Sequence, residues 1–169
     1  MLYWVLKYVL LGPLMRSWCR PTIEGEENIP EHGGALLASN HLSVSDSFFL
    51  PLLAPRPIYF MAKREYFTQP GLVGWFKRQF FTGMRQVPVE RGSSAARAAL
   101  DTCNRLLREE RLVGIYPEGT RSPDGRLFKG KTGVARMALE SEVPVIPVAM
   151  IGTDKVNPIG SKIWRPRKV

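Results

Sequence analysis

Short apolar runs alternate with helix-like stretches along this chain, and that alternation restricts the fold more than any other feature. Residues 34–40, GALLASN, make a brief run suited to a buried strand. Residues 57–62, PIYFMA, make a second, 112–116 a third and 143–151, VPVIPVAMI, a fourth; residues 87–89 add a short extended piece. Helical patterns fill the gaps. Phe48, Phe49, Leu52 and Leu53 give residues 43–53 one apolar face, which Pro51 is expected to kink or end early. Residues 66–81 divide into short helices at Pro70-Gly71. Residues 94–111 carry the clearest helical spacing, with Ala95, Ala99, Cys103 and Leu106 recurring while Arg97, Arg105 and Arg108 face water. Residues 130–140 form another helix. Strands alternating with helices predict an α/β fold, a single domain whose mostly parallel, mixed sheet is flanked by helices. Pro144 and Pro147 suit strand ends or an edge better than a central ladder.

The 169 residues fit one domain with a sizeable core, and 44% apolar with 23% charged content excludes disorder along the whole length. Residues 1–18 form an N-terminal helix, 19–33 a polar connector rich in glutamate, and 34–169 the domain body. The chain stops soon after Trp164 without a clear closing element, so the domain is expected to be abbreviated or to continue further.

The N-terminal helix, MLYWVLKYVLLGPLMRSW, is strongly apolar with aromatics near both ends. It lacks the basic start and small-residue cleavage site of a signal peptide. Lys7 and the Gly12-Pro13 pair make it a weak membrane span. It fits best as an interfacial helix lying among lipid headgroups. The alternative is a helix packed on the protein's own core.

Twenty-four Lys and Arg against fifteen Asp and Glu give a formal charge of +9, which implies an anionic partner. Nucleic acid, anionic lipid and phosphorylated metabolites all qualify. No helix-turn-helix, zinc or RNA-stacking signature is present, so no nucleic-acid partner is expected. Two cysteines, Cys19 and Cys103, make no disulfide framework, and Cys103 suits a buried free thiol. No metal-ligand spacing exists, so no metal is expected.

The chemistry centres on Ser39-Asn40-His41-Leu42-Ser43-Val44-Ser45-Asp46. His41 follows a strand and Asp46 opens the next helix. A turn there can fold the carboxylate onto the imidazole, fix its tautomer and leave Nε2 free to take a proton from a hydroxyl. An isolated His-x4-Asp is a weak signal, and capping of a helix would explain it as well. Three further runs add weight. Val87-Pro88-Val89-Glu90-Arg91-Gly92 places a guanidinium at a turn, where it can hold a phosphate on two prongs. Tyr116-Pro117-Glu118-Gly119-Thr120-Arg121-Ser122 ends a strand in a loop, where ligands of open α/β sheets bind. Val143-Pro144-Val145-Ile146-Pro147 suits the core beneath the site.

Together, in this order from Asn40 to Pro147, the four runs resemble the glycerolipid acyltransferases, the PlsC-like lysophosphatidate acyltransferases. Their pattern is Asn-His-x4-Asp, a Gly/Arg block, Glu-Gly-Thr-Arg, and Val-Pro-Ile/Val-x-Pro. The resemblance implies His41 as general base and Asp46 as its orienting partner. It implies Arg91 on the acceptor phosphate, and Glu118, Gly119, Thr120 and Arg121 on the acceptor's glycerol-phosphate end. Lys63, in Ala62-Lys63-Arg64-Glu65, resembles a further phosphate-contacting residue of that family. Asn40 shapes the turn. The acyl donor would be a thioester, acyl-CoA or acyl carrier protein, with no cofactor. Glu90 departs from the family, which often has a neutral or small residue there, and leaves the acceptor open.

The expected reaction is transfer of a fatty acyl group to lysophosphatidate, giving phosphatidate. Glycerol 3-phosphate, an amino-lipid or a glycolipid are alternative acceptors, and a non-enzymatic membrane-binding module is the alternative to catalysis. Residues 75–81, WFKRQFF, interleave aromatics with cations as headgroup-level surfaces do. Membrane lipids are therefore expected partners. The expected location is the cytoplasmic face of the cell membrane, held peripherally or monotopically.

Overall fold

The computed structural model describes residues 1–90 and 93–169. Five strands form one sheet in the order β3-β2-β4-β1-β5. They are β1 (Ala35–Ser39), β2 (Ile58–Lys63), β3 (Gln86–Val89), β4 (Leu112–Ile115) and β5 (Val145–Val148). The sheet, expected to be mostly parallel, is parallel in every pairing. The reason is connectivity. Each strand reaches the next through a helix, and such crossovers return the chain in its original direction.

Both edge strands carry proline. Pro88 in β3 pairs opposite Ala62, and Pro147 in β5 opposite Ala38. The central strands keep every N–H for the ladder.

The N-terminal helix runs without a break. Its α1 (Leu2–Val5) leads into a π-helical stretch, Leu6–Leu10, and then α2 (Leu11–Cys19). The Gly12-Pro13 pair lies inside α2 and does not end it. A proline inside a helix lacks one N–H and crowds the carbonyl four residues back, and a wider turn relieves both problems. Gly12 permits that widening: a Cβ there would lie 1.8 Å from the Lys7 carbonyl oxygen. Two short pieces follow, the 3₁₀ turn Glu26–Asn28 and β1.

β1 is buried on both faces, as befits a central parallel strand. Ala35 and Leu37 face one cluster with Phe49, Leu52, Leu6 and Met15. That cluster joins α3 (Asp46–Leu53) and the N-terminal helix. Leu36 faces the other cluster with Cys103, Leu107 and Met137, beneath α6 (Ser93–Arg108) and α7 (Gly133–Ser141). Burial pushes the Cys103 thiol up to about 11, so it behaves as an inert core residue. The remaining helices are α4 (Glu65–Thr68), α5 (Gly71–Gly83) and α8 (Thr153–Val156). The first two are the pair expected across Pro70-Gly71.

The path leaves β1 toward β2 on one face and leaves β4 toward β5 on the other. The carboxyl ends of neighbouring β1 and β4 therefore open a crevice at a switch point, where ligands of such sheets bind.

One face of the N-terminal helix packs on α3, but the opposite face is apolar and open. Tyr8, Val9, Leu10, Leu14 and Trp18 are all half exposed or more. On α5, Leu72, Val73, Phe76 and Trp75 are also exposed. Gly83 at the end of α5 packs against Leu2 and Leu6. Among the described residues, no helix is long and apolar enough to cross a membrane.

Candidate active site

β1 ends at Ser39, and Asn40 fixes the turn that follows. Its Nδ2 donates to the Met150 carbonyl at 3.0 Å, and its Oδ1 accepts from the Met150 N–H at 2.6 Å. The ends of β1 and β5 are thus tied by one side chain. The helix expected from residue 43 starts at Asp46, because the turn is closed on that carboxylate. Asp46 Oδ2 accepts from Leu42 N–H at 2.7 Å and from Ser43 N–H at 2.8 Å.

The same oxygen lies 2.8 Å from His41 Nδ1. An oxygen on which two backbone donors already converge acts as an acceptor, so Nδ1 carries the proton and Nε2 presents its lone pair. Asp46 is fully buried, while the His41 side chain keeps 16% of its surface exposed. The imidazole can be reached from outside and the carboxylate that orients it cannot.

The loop after β4 grips His41 by its backbone. Glu118 Oε1 accepts from His41 N–H at 3.2 Å, and Oε2 accepts from Phe128 N–H at 3.0 Å. Ser122 N–H donates to the His41 carbonyl at 2.7 Å. Glu118 is buried with both oxygens engaged in this way. Gly119 adopts a left-handed φ of +69°, which turns the loop back toward the site.

Tyr116 completes the support. Its ring lies parallel to the imidazole, and its hydroxyl is 3.0 Å from Ser47 Oγ on α3. Phe60 of β2 stacks on the far side of Tyr116 at 5.4 Å. Phe60 can lie there only because Gly114, its partner in β4, has no side chain: a Cβ would meet the Phe60 ring at 2.2 Å.

A cavity of about 490 Å³ opens over His41. Phe60, Met61 and Ile115 contribute an apolar part, and Thr120, Arg121 and Lys131 a polar, cationic part. Such a division suits an amphiphile with an anionic end.

The fold therefore brings together His41, Asp46, Asn40, Glu118, Gly119, Thr120 and Arg121 from the residues singled out in the sequence. Lys63 is exposed at the end of β2 and is not among the residues lining the cavity. Arg91 lies outside the described residues. Glu90, the departure beside it, pairs with Arg64 across the ends of β3 and β2. Tyr116, Ser47 and Lys131 were not anticipated. Their only signal was proximity, Tyr116 standing two residues before Glu118, Ser47 following Asp46 and Lys131 lying ten residues beyond Arg121. Among the described residues no cluster of three His, Cys, Asp or Glu could hold a metal.

Residues 20–151 match the family model described as Acyltransferase. The chloroplast 1-acyl-sn-glycerol-3-phosphate acyltransferase of Arabidopsis thaliana is 36% identical over 142 residues, covering 83% of this chain and 38% of that protein. The human 1-acyl-sn-glycerol-3-phosphate acyltransferase beta is 33% identical over 146 residues, covering 82% of this chain and 51% of that protein. The chain thus spans about half or less of these relatives' length. The crystal structure of the 1-acyl-sn-glycerophosphate acyltransferase PlsC from Thermotoga maritima superposes with a TM-score of 0.68 at 30% identity, covering 93% of this chain and 61% of that chain. The matched span includes both loops that meet at His41, and this chain belongs to the acyltransferase family.

Proposed function

We propose that this protein moves a fatty acyl group from acyl-CoA or acyl carrier protein to the hydroxyl of lysophosphatidate, giving phosphatidate. The observation that carries the reading is the buried Asp46 holding His41 Nδ1 at 2.8 Å, with the imidazole open to a cavity lined by both cationic and apolar side chains. His41 Nε2 takes the proton of the acceptor hydroxyl. The oxygen forms a bond to the thioester carbonyl carbon, and the carbonyl electrons move to oxygen. Collapse of that tetrahedral species breaks the C–S bond. The departing thiolate then receives the proton from the imidazolium. Asp46 favours the imidazolium while it exists. Arg121 sits where it can hold the acceptor phosphate. Arg91 and Lys63 are assigned to the same phosphate by the resemblance alone. Relatives bearing the name 1-acyl-sn-glycerol-3-phosphate acyltransferase support this acceptor.

The protein works, in this reading, as a peripheral enzyme at a membrane surface on the cytoplasmic face. The exposed apolar faces of the N-terminal helix and α5 would enter the headgroup layer, with Lys77 and Arg78 beside anionic lipid. Both the acceptor and the product reside in the bilayer, so an enzyme placed there extracts neither.

The test is transfer from labelled acyl-CoA to lysophosphatidate in detergent micelles, with His41→Ala beside the wild type. Phosphatidate formed by the wild type and lost in the variant, by about 100-fold or more, supports the reading. Equal product from both rejects His41 as the base.

A further inference from the structure

We propose that Lys131 is a phosphate-binding residue of the active-site cavity, a role that rests on the acyl-transfer reading above and adds to it a residue outside the family's four motif runs. Lys131 stands just before α7, and its N–H donates to the Pro117 carbonyl at 2.8 Å. That bond seats it beside the loop that holds His41. Its side chain then crosses Gly119. A Cβ built on Gly119 would lie 2.8 Å from Nζ, 3.1 Å from Cε and 3.4 Å from Cδ. The missing side chain thus serves two needs, the positive φ and the passage of the lysine. The ammonium is laid over the loop on the cavity's edge, where it lines the same space as His41, Thr120 and Arg121.

The charge there is uncompensated. Among the described residues, no carboxylate lines the cavity. Among the described residues, Arg64, Arg105, Arg126 and Arg136 each have an acidic partner within 4 Å, whereas Lys131 and Arg121 have none. Glu118 and Asp124, the two acids nearest Arg121 in sequence, are engaged elsewhere, Glu118 on the His41 and Phe128 backbones and Asp124 on the Ser122 hydroxyl and the Arg126 N–H. Two cations facing one cavity without an acid suit a group that carries close to two negative charges and several acceptor oxygens. A phosphate ester has both properties. Arg121 offers a planar fork for two oxygens and Lys131 a compact charge for a third.

Either substrate could bring the phosphate, as the headgroup of lysophosphatidate or as a phosphate of acyl-CoA. Steady-state kinetics of wild type, Lys131→Gln and Lys131→Arg separate the sources. The KM is measured for lysophosphatidate, for the phosphate-free acceptor monoacylglycerol, and for acyl-CoA. The expected result is a KM for lysophosphatidate raised about tenfold or more by Lys131→Gln, largely restored by Lys131→Arg, with monoacylglycerol unaffected. A rise confined to acyl-CoA supports the phosphate site and assigns it to the donor. Glutamine keeps a polar chain across Gly119, so a packing role would leave these values unmoved. All three KM values within twofold of wild type would overturn the proposal, as would an equal rise with monoacylglycerol. If the wild type transfers no acyl group, the acyl-transfer reading fails, and calorimetric titration with glycerol 3-phosphate decides the lysine separately. Binding weakened about tenfold in Lys131→Gln upholds the site, and equal binding rejects it.

Discussion

The Tyr116 ring lies flat on the His41 imidazole, with centroids 3.8 Å apart and planes 10° from parallel. Burial pushes its phenol far above the ordinary tyrosine range, so it stays neutral and hydrogen-bonded to Ser47. The face of a neutral aromatic ring attracts a cation, and in the proposed transfer His41 becomes one. Tyr116→Phe keeps the stack and loses the Ser47 bond. Its expected cost is about 1 kcal/mol of stability with kcat changed only a few-fold. Tyr116→Leu removes the stack and is expected to lower kcat about tenfold while leaving both KM values near wild type. Kinetics and thermal melts of the two variants check this; equal kcat in both would reject the stack as a support for the base.

Asp46→Asn should be the most damaging conservative change. All three donors, the Leu42 and Ser43 N–H groups and His41 Nδ1, converge on Oδ2, and an amide oxygen in its place accepts them without the charge that favours an imidazolium. An amide N–H turned toward the ring would hold the wrong tautomer. A fall in kcat of about 10³-fold or more is expected, with a folded circular dichroism spectrum. Activity within tenfold of wild type would show that the pair does not set the base.

Glu118→Gln separates positioning from acceptor binding. Both carboxylate oxygens accept backbone N–H groups, and glutamine has one acceptor oxygen to offer. One N–H would then face an NH₂ group. The expected loss is about 1–3 kcal/mol of stability, with kcat reduced and KM for lysophosphatidate unchanged. A raised KM with unaltered kcat would instead place the carboxylate on the acceptor.

The sequence made the His41 turn legible because its chemistry is local. The partners are five positions apart, and the strand and helix that present them adjoin. The parallel α/β arrangement was legible for a similar reason, since each apolar run is followed by its own helix. The Tyr116 stack was not. It depends on β4 lying beside β1 and on Gly114 clearing room for Phe60, neither of which a one-dimensional pattern contains. The start of α3 was misjudged by three residues because Asp46 draws the preceding N–H groups into a turn.

The exposed apolar faces yield a prediction about location. Leu14 on α2 and Phe76 on α5 are more than half exposed. Replacing either with glutamate should weaken binding to phosphatidylglycerol-containing vesicles by roughly tenfold, since an apolar side chain leaving the headgroup layer costs about 1.5–3 kcal/mol. Wild-type binding should also weaken as salt rises, because Lys77 and Arg78 act through screened attraction. Flotation assays measure both effects. Unchanged flotation of the two variants would reject this surface as the anchor.

Lys7 is a buried cation on a largely apolar helix. Its ammonium donates to the Ala54 carbonyl at the end of α3, and Tyr3, one turn earlier, donates to the Pro51 carbonyl at 2.8 Å. The two side chains thus hold the C-terminal end of the helix whose first turn carries Asp46. Burial, reinforced by Arg16, keeps the ammonium below the ordinary lysine value of 10.5. The folded state therefore disfavours its proton. Between the lowered value and 10.5 the unfolded chain binds more protons, so stability rises with pH across that window. Above about 10 the trend reverses, because Tyr3 and Tyr116 hold their protons in the fold while unfolded tyrosines ionise. The urea midpoint followed upward from neutral pH should rise in the wild type relative to Lys7→Met before the pH passes about 10, since that substitution removes the titrating group and keeps most of its volume. Parallel midpoints in the two proteins would show that Lys7 is not held against its charge.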